Sequence, residues 1–414
     1  MSTSKPILVV GAGIAGLTTA LEAAETGREV ILLERDPAVG GRVARLHNYF
    51  PKMCPPSCGL EINVRRLEKN PRITFLGGAQ VTAASRTGNC WKVTVTQDPQ
   101  YITAACTECG DCEKVCTDTV KDAFNLELTD AKAARAFKPD PFPRRFTLDK
   151  AACKDGGQAV KAACKVGAVN LDAKPTEHSF EVGAVVMATG WHPYPKDKLP
   201  ELGGGVLKDV VANVELERMA APAGHTGGKI LRPSDGQAPK RVAFVQCAGS
   251  RDVNHLPYCS GVCCLASLKQ AQYVKEQLPE AEVTMYYIDR RTPGRNEEVL
   301  TKVQALDGVK LVKGKVGKVE LKGSALQLRV EDVESGKLIQ AEADLVVLAT
   351  GMESNLKGLK LPFEPKLDDD GFGIDDPARG LFVAGVARRP EDVAACVRDA
   401  TGVAARAAVA ATSN

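Results

Sequence analysis

Ten of the fourteen cysteines fall into spacings that suit metal binding. Cys106, Cys109, Cys112 and Cys116 form the pattern C-x2-C-x2-C-x3-C, which is the spacing of bacterial ferredoxins. The first three thiols are close enough in sequence to bind three corners of a cubane cluster, and Gly110 permits the tight turn between them. Zinc or free thiols are alternatives, but this spacing favours an iron–sulfur cluster.

A fourth ligand for that cluster is expected further along the chain. Cys164-Lys-Val-Gly-Ala-Val-Asn-Leu is similar to the end of a ferredoxin motif, and in two-cluster ferredoxins the fourth cysteine of the first run serves the other cluster. One cluster is therefore predicted to use Cys106, Cys109, Cys112 and Cys164. The proline-rich stretch between the two halves is predicted to be loop.

The sequence leaves open whether the same segment holds a second cluster. Cys116 and Cys153 are the remaining thiols, but the cysteines that a full second motif requires near positions 157 and 160 are absent. Outside ligands would be needed, and Cys54 and Cys58 are the candidates. Two of the residues between them are prolines, so both thiols are predicted on a constrained loop, with a redox or ligand role or as ordinary thiols.

A second group of four thiols follows an apolar strand pattern. Cys247, Cys259, Cys263 and Cys264 lie within 18 residues, and a disulfide between the adjacent pair would be strained. The group is predicted to bind one [4Fe–4S] cluster, anchored by a helix over 265–276. Zinc, a catalytic dithiol and inert thiols are the alternatives.

The N-terminal residues have the order of a dinucleotide-binding unit. An apolar run over 7–10 leads into Gly-Ala-Gly-Ile-Ala-Gly and a helical pattern, and a second apolar run ends in an acid. The three glycines make the turn, let the backbone approach a pyrophosphate and allow close helix–strand packing. The phosphates would lie at the positive end of the helix, and the acid would bind a ribose hydroxyl. The predicted contacts are Gly11, Gly13, Ile14, Ala15, Gly16 and Glu34.

The residues after Glu34 indicate which dinucleotide is bound. Glu-x5-Gly-Gly-Arg resembles the flavin extension of the glutathione-reductase and thioredoxin-reductase superfamily, which implies FAD rather than NAD. Two apolar strands ending in Ala-Thr-Gly resemble further signatures of that superfamily. So does the segment after Gly380, although an acid usually follows the glycine where this chain has Val386. The resemblance implies contacts at Arg35, Gly41, Arg42, Val81, Thr189, Gly190, Thr350, Gly351, Gly385 and Val386.

A second Rossmann-like unit is predicted around the second cysteine group. Residues 241–246 and 283–289 read as its first parallel strands. In a thioredoxin-reductase-like enzyme this unit would hold NAD(P)H, but Cys247-Ala-Gly-Ser-Arg stands where the glycine loop would be. Nicotinamide binding in the usual mode is therefore not expected.

The size of the chain fits an α/β protein of two or three domains. Its 414 residues can bury several cores. We predict two Rossmann-like domains of the glutathione/thioredoxin-reductase type with an inserted ferredoxin-like segment. The FAD-binding domain is predicted in three segments, over 1–100, over 176–240 together with a connection, and over 341–414. The insert is predicted over 101–175, and the cysteine-bearing second domain over 241–340.

Charge and hydropathy restrict the partners. The net charge of +3 is too small for a nucleic-acid surface. No apolar run reaches the ~18 residues that cross a bilayer and no secretory signal is recognised, so a cytoplasmic protein is expected, linked to a membrane only through partners. The five histidines show no ligand spacing, so no haem is expected. The isolated Cys90 and Cys396 are predicted to be core thiols.

Together these motifs resemble the A subunit of heterodisulfide reductase. The resemblance covers nearly the whole chain, through the second cysteine group, the Phe50-Pro-Lys-Met-Cys54 loop, the ferredoxin motif and Arg388-Arg-Pro-Glu-Asp392. It implies an oxidoreductase component that acts in a complex, with FAD close to the cluster of the second cysteine group. One to three [4Fe–4S] clusters are implied in all.

The length of the chain and the segment Cys54-Pro-Pro-Ser-Cys58-Gly-Leu-Glu-Ile look most like those of the A subunits of quinone-interacting membrane-bound oxidoreductases of sulfate reducers. This implies two partner subunits, a related flavoprotein with iron–sulfur clusters and a haem-bearing membrane subunit, at the inner face of the cytoplasmic membrane. Adenylylsulfate reductase is the implied soluble redox partner. Alternatives are a component of a soluble electron-bifurcating complex, a dithiol–disulfide oxidoreductase and a non-catalytic flavin-bound scaffold. No general acid, base or nucleophile is predicted.

Overall fold

The computed structural model describes residues 5–50 and 52–412. Within these ranges the chain forms eight α-helices and 23 strands. The helices are α1 (Ile14–Glu25), α2 (Ser57–Lys69), α3 (Asp111–Val115), α4 (Gln158–Ala163), α5 (Asn213–Ala220), α6 (Cys263–Gln277), α7 (Glu297–Gln304) and α8 (Val393–Ala410). The strands are β1 (Ile7–Val10), β2 (Val30–Glu34), β3 (Ile73–Gly77), β4 (Ala79–Thr87), β5 (Cys90–Gln97), β6 (Thr119–Lys121), β7 (Asp130–Lys132), β8 (Ala134–Arg135), β9 (Thr147–Leu148), β10 (Thr176–Val182), β11 (Ala184–Met187), β12 (Trp191–Pro193), β13 (Val210–Ala212), β14 (Arg241–Ala248), β15 (Glu282–Tyr287), β16 (Val309–Lys322), β17 (Ala325–Asp332), β18 (Lys337–Ala343), β19 (Leu345–Thr350), β20 (Met352–Ser354), β21 (Lys366–Leu367), β22 (Gly373–Ile374) and β23 (Leu381–Val383).

A five-stranded parallel sheet in the order β23-β11-β1-β2-β3 carries the N-terminal glycine loop. Its central strands are apolar on both faces, and Leu8 lies level with Ile31 of β2 and Val185 of β11. Helices α1 and α8 pack on one face, and the antiparallel sheet β10-β5-β4 packs on the other. Both faces are therefore covered, which is why these strands read as continuous apolar runs.

The second sheet has seven strands in the order β13-β19-β14-β15-β16-β17-β18. The strands from β13 to β16 are parallel, and β17 and β18 turn back antiparallel. Strands β13 and β19 pair in this sheet. The predicted division 341–414 gave β19 to the flavin-binding domain, and β13 lies in 176–240, which was predicted to hold part of that domain and a connection. The boundary before β19 needs correction. An apolar parallel strand fits either sheet, because its sequence does not determine which strand it pairs with.

The segment around Cys58 also differs from the expected loop. Helix α2 begins at Ser57, so Cys58 lies in its first turn. Pro56 takes the N-cap position with φ −57°. Proline is tolerated at a helix start, because the N–H that it lacks would have no partner within the helix there. Cys54 lies in the preceding loop, where it forms an isolated bridge with Tyr49.

The inserted segment folds around a small core of its own. Ile102, Val160 and Leu171 pack there with several of the thiols. The insert joins the rest of the molecule through Asn125, whose Oδ1 accepts a hydrogen bond of 2.9 Å from Arg218 Nε of α5. The insert is therefore fixed against the second domain by a buried polar contact.

Two short strands connect the flavin-domain loop after β11 with the loop after β19. Strand β12 pairs antiparallel with β20, with Trp191 level with Ser354.

In the portion of the chain that the structure describes, no helix has the length and apolar character that crossing a bilayer requires.

Candidate functional site

A cavity of about 460 Å³ lies between the two main sheets. Gly11 and Glu34, at the carboxyl ends of β1 and β2, belong to its first wall. Asn213, Cys263 and Thr350 of the second domain face it from the other side. Ligands of open α/β sheets bind outside the carboxyl ends of the strands, so this cavity is the candidate cofactor site.

The three glycines of the N-terminal loop meet different surroundings. Gly11 has φ +105°, and a Cβ there would lie 2.4 Å from the carbonyl oxygen of Ala188. A Cβ on Gly16 would lie 1.7 Å from the carbonyl oxygen of Gly11. A Cβ on Gly13 would meet nothing closer than the Cα of Gly41, at 3.9 Å. Gly11 and Gly16 are therefore required by the fold itself, whereas Gly13 leaves space at the start of α1.

Glu34 is held at the edge of this space by two backbone groups. The Ala12 N–H donates to its Oε2 at 2.7 Å, and the Asp36 N–H donates to its Oε1 at 3.2 Å. Burial raises the pKa of Glu34, and the charge of Asp36 adds to the shift, while the backbone N–H groups oppose it. The carboxyl group is thus fixed where it can accept a hydrogen bond from a ribose hydroxyl.

Most of the predicted cofactor contacts line the cavity. They are Gly11, Gly13, Ile14, Ala15, Glu34, Arg35, Gly41, Arg42, Val81, Thr189, Gly190, Thr350 and Val386.

Three predicted contacts pack against protein atoms instead. A Cβ would lie 1.7 Å from the Gly11 oxygen at Gly16, 2.2 Å from Ser250 Oγ at Gly351 and 2.7 Å from the Ala15 Cβ at Gly385. The packing at Gly16 agrees with the role predicted for the third glycine of the loop, and cofactor contact at Gly351 and Gly385 stays a prediction.

Several residues that line the cavity were not predicted from the sequence. They are Trp191, Glu217, Lys269, Gln270, Asn355 and Glu391. Trp191 directly follows the Ala-Thr-Gly signature, and that adjacency was its one available signal. Its carbonyl oxygen accepts a hydrogen bond from Arg42 Nε, and the guanidinium carbon of Arg42 lies 5.0 Å from the centroid of its ring. Burial lowers the pKa of Arg42 to about 10.

Three buried polar atoms on the cavity wall have no hydrogen-bond partner. They are Thr189 Oγ1, Gln270 Oε1 and Glu391 Oε2. Buried polar atoms are almost always satisfied, because an unmade hydrogen bond costs about 1–3 kcal/mol. The fit to FAD rests instead on the free space at Gly13, where a pyrophosphate can approach the backbone, and on the Glu34 carboxyl at the end of β2.

A buried ion pair lies on the second-domain side of the cavity. Lys269 Nζ lies 2.7 Å from Glu217 Oε1 and donates to the Asn48 carbonyl oxygen at 2.6 Å. Gln270 Nε2 donates to the same Glu217 oxygen at 2.8 Å. Lys269 and Glu217 are only 2% and 3% exposed. Buried charges persist when they are paired and hydrogen-bonded, so this network fixes α6 against α5 and the N-terminal domain.

The second cysteine group converges where β14 ends and α6 begins. Cys247 lies near the end of β14, and Cys263 and Cys264 are the first residues of α6. Electrostatic interactions connect these thiols with one another and with Cys259. Burial is the main cause that raises the pKa of Cys247, Cys263 and Cys264. The raised pKa values favour the protonated thiols. A bound metal centre would instead favour the thiolates, because thiolates are the form of cysteine that binds metals.

Cys263 belongs to this thiol group and to the cavity wall at once. Its side chain lines the cavity, and its Sγ lies 3.6 Å from the carbonyl oxygen of Thr350, which also lines it. In a Rossmann unit the end of the first strand and the start of the following helix bind a pyrophosphate. In this chain the second domain presents thiols at that place.

The thiols of the insert divide into two sets. Cys106, Cys109, Cys112 and Cys164 line one small cavity, and this is the set predicted for one cluster. Gly110, with φ +78°, precedes α3 between them. Burial raises the pKa of Cys112 to about 11, and Cys106 and Cys109 add to the shift.

Cys116 and Cys153 form the other set, inside the core of the insert. Burial raises the pKa of Cys153 to about 11, and Cys116 adds to the shift. Cys54 and Cys58 interact with Tyr49 and raise the pKa of its hydroxyl to about 12, mainly through the Cys54 hydrogen bond. Across residues 5–50 and 52–412, no group of three or more His, Cys, Asp or Glu side chains has the arrangement of a metal site. The predicted ligand sets therefore rest on their sequence spacing and, for Cys106, Cys109, Cys112 and Cys164, on the cavity that they share.

Known proteins are similar to this chain in sequence and in fold. Residues 9–75 match the family model of an NAD(P)-binding Rossmann-like domain. The A subunit of the H(2):CoB-CoM heterodisulfide,ferredoxin reductase of Methanothermobacter thermautotrophicus is 35% identical over 99% of this chain and 64% of its own length. The iron–sulfur A subunit of the CoB–CoM heterodisulfide reductase of Methanocaldococcus jannaschii shows the same identity and coverage. The chain thus spans slightly less than two thirds of the length of these curated relatives.

Solved structures agree on the architecture. The thioredoxin reductase of T. acidophilum superposes with a TM-score of 0.52 at 15% identity, over 99% of this chain and 98% of its own. The bacillithiol disulfide reductase of Bacillus cereus gives the same TM-score at 12% identity, over 99% of each chain. The predicted α/β class with two Rossmann-like units is confirmed. The chain has the fold of thioredoxin-reductase-like flavoproteins, and its homologues along nearly its whole length are A subunits of heterodisulfide reductases.

Proposed function

We propose that the chain is an electron-transfer subunit of an oxidoreductase, in which FAD in the central cavity exchanges electrons with a [4Fe–4S] cluster bound by Cys247, Cys259, Cys263 and Cys264. The observation that carries this proposal is the double position of Cys263, which belongs to the convergent thiols and also lines the cavity. An electron leaving the cavity towards these thiols would cross no intervening layer of protein.

The chain's own residues bind and orient the cofactors. The start of α1 and Gly13 would receive the pyrophosphate, and Glu34 would bind the adenosine ribose. FAD accepts or releases one or two electrons, whereas an iron–sulfur cluster carries one. The protein therefore contributes position, burial and hydrogen bonding around the two groups, and the proposed function requires no catalytic acid, base or nucleophile.

The insert is proposed to bring electrons to the same cavity. Phe124 of the insert lies 5.6 Å from the guanidinium carbon of Arg45, and Arg45 lines the cavity. Arg218 also lies over the Phe124 ring, 4.9 Å from its centroid, and donates to the Arg45 carbonyl oxygen at 2.7 Å. A cluster in the insert would thus belong to a segment that directly touches the cavity wall.

The partners belong to the proposal as well. The relatives are named as subunits, so we infer that the chain acts within a multi-subunit complex. The Cys54-Pro-Pro-Ser-Cys58 motif supports a complex with a related flavoprotein and a haem-bearing membrane subunit, at the inner face of the cytoplasmic membrane. Such a complex would move electrons between quinol and adenylylsulfate reductase. The relatives' names support the alternative of a heterodisulfide- and ferredoxin-linked complex.

Anaerobic purification of the chain tests the central proposal. Flavin and iron are measured per chain, and EPR spectra are recorded after dithionite reduction. One FAD with about four or eight iron atoms and a reduced-cluster signal is expected. Flavin without iron in protein never exposed to oxygen would contradict the proposal and favour dithiol–disulfide chemistry at the cysteines. Rapid reduction of the flavin by NAD(P)H in the isolated chain would contradict a partner-fed component.

The two thiol sets of the insert give a matched pair of variants. Cys106→Ala is expected to lose about four iron atoms per chain, because it removes a ligand from the set that surrounds one cavity. Cys153→Ala is expected to keep the iron content of the wild type, because the Cys116 and Cys153 set supplies only two thiols. Iron analysis and EPR of both variants provide the comparison. Iron loss in Cys153→Ala would instead show that a second cluster is present.

A further inference from the structure

The two adjacent cysteines at the start of α6 face different surroundings. Cys263 lines the cavity. Cys264 Sγ lies 3.6 Å from the carbonyl oxygen of Asp289, in the loop that follows β15. The backbone of Arg291 in the same loop also interacts with the Cys264 thiol. A cluster bound by these thiols would therefore have the cavity on one side and the loop over residues 289–295 on the other.

This loop is basic and exposed. Its residues Arg290, Arg291 and Arg295 are all exposed, and we call the three together the arginine surface. The guanidinium carbon of Arg290 lies 5.0 Å from the centroid of the Tyr287 ring, which holds this side chain against the end of β15. Three exposed guanidinium groups so close together create a positive potential that attracts acidic molecules.

The acids beside the arginine surface are compensated by other groups. Asp289 Oδ2 lies 2.8 Å from Arg251, and Asp252 Oδ2 lies 3.9 Å from Lys315. The two glutamates in the first turn of α7 lie at the positive end of that helix. The arginine surface therefore keeps its positive charge available for a partner.

Two observations favour a protein over a nucleotide as that partner. An arginine after the second strand of a Rossmann unit can accommodate a nucleotide 2′-phosphate, and the arginine surface follows the second strand of this unit, β15. The pyrophosphate of such a nucleotide, however, would have to lie at the end of β14, where this chain has Cys247. Val253, in the loop that the pair of Arg251 and Asp289 holds nearby, is 90% exposed. An exposed apolar side chain suits a protein interface.

We propose that the arginine surface docks an acidic protein that carries single electrons, and that each electron passes between this carrier and the flavin through the cluster of the second cysteine group. The inference rests on the proposed function, because it takes that cluster and FAD as present. In each transfer the reduced centre of the carrier loses one electron and the cluster gains it, and no bond is formed or broken. Cys264 faces the carrier, and Cys263 faces the flavin.

The experiment uses the cofactor-loaded chain, purified without oxygen, and a reduced flavodoxin, which is a small acidic one-electron carrier. The variant is Arg291→Glu/Arg295→Glu. The control is Lys322→Glu/Lys337→Glu, which makes the same change of charge at exposed positions of β16 and β18. Stopped-flow absorbance at low salt is expected to show the variant reduced about 10-fold more slowly than the wild type and the control, because electrostatic steering is lost. Added salt should slow the wild type and the control far more than the variant.

Iron content, flavin content and EPR spectra of the variant should match the wild type, as should its reduction by the deazaflavin radical, a small uncharged reductant. Equal flavodoxin rates in variant and wild type, or an iron-loaded wild type that flavodoxin does not reduce, would overturn the inference. If adenosine 2′,5′-bisphosphate binds to the wild type but not to the variant, the surface belongs to a nucleotide and the inference is overturned as well. If the variant loses iron, Arg291→Gln/Arg295→Gln carries the comparison, with a smaller loss of rate expected. A wild type that binds no iron would instead overturn the proposed function.

Discussion

Gly13→Ala is expected to leave the chain folded and to remove most of its affinity for FAD. The added Cβ would meet no protein atom closer than 3.9 Å, and φ at this position is −71°, which alanine adopts without strain. The methyl group would instead occupy the space at the start of α1 where a pyrophosphate approaches the backbone. Losing one or two charge-assisted hydrogen bonds there should weaken binding about 100- to 1000-fold.

Gly16→Ala is the matched control for this prediction. Its Cβ would lie 1.7 Å from the carbonyl oxygen of Gly11, so the turn between β1 and α1 would have to shift. We expect a loss of unfolding free energy of about 3 kcal/mol or more, even without cofactor. Melting of the flavin-free chain and titration with FAD separate the two effects. An unchanged FAD affinity in folded Gly13→Ala would show that the pyrophosphate is bound elsewhere.

The contrast between these glycines shows what a local motif contains. The spacing of the loop predicted the strand, the helix and the residues along the first wall of the cavity, because all of them are consecutive in the chain. It also assigned Gly13 to the approach of a pyrophosphate and Gly16 to close packing, but it did not give the distances, 3.9 Å to the nearest atom from a Cβ at Gly13 and 1.7 Å at Gly16. That difference depends on atoms that only the folded turn brings together.

The second wall of the cavity was beyond sequence reasoning for a related reason. Lys269 and Gln270 lie on the helix that was predicted only as an anchor for the cluster, and Glu217 lies on another helix that carries no motif. Lys269 bonds the Asn48 carbonyl oxygen across 221 positions of the chain, and Gln270 bonds Glu217 across 53 positions. Periodicity identifies the buried side of a helix, but it does not reveal which domain will cover that side.

Strand β19 illustrates the same limit at the level of sheets. Its Ala-Thr-Gly ending resembles the ending after β11, and the resemblance assigned both to one domain. In the structure β11 pairs with β1, whereas β19 pairs with β13 and β14. Thr350 nevertheless reaches the cavity, because the two sheets present their carboxyl ends to the same space. A repeated signature can therefore predict the site correctly while misplacing the strand that carries it.

Cys259→Ala is expected to remove about four iron atoms per chain while leaving FAD bound. The variant deletes one thiol of the second cysteine group, whose sulfur accepts a hydrogen bond of 3.3 Å from the Gly261 N–H. Cys263 is the member of the group that lines the cavity, so the wall against the flavin keeps its shape. A cluster with three protein thiolates is expected to be lost during purification or to change its EPR spectrum.

Cys90→Ala is the control, because Cys90 begins a strand of the antiparallel layer and interacts with Lys5 rather than with other thiols. Iron analysis, flavin content and EPR after dithionite reduction are compared for both variants. Freeze-quenched samples then follow reduced flavin as it is reoxidised. In the wild type and the control, the reduced signal of the second-domain cluster should rise as the flavin loses electrons. In Cys259→Ala that signal should be missing, while the signal of the insert cluster should remain.

The result distinguishes two uses of the thiols at the end of β14. If the four irons and the electron exchange disappear together while FAD remains, the second domain binds a cluster that faces the flavin. This cluster lies where a Rossmann unit would otherwise bind a nucleotide. If Cys259→Ala keeps its full iron content and unchanged EPR spectra, these thiols do not bind the cluster. The electrons would then have to reach the flavin through the insert, by way of the contact between Phe124 and Arg45.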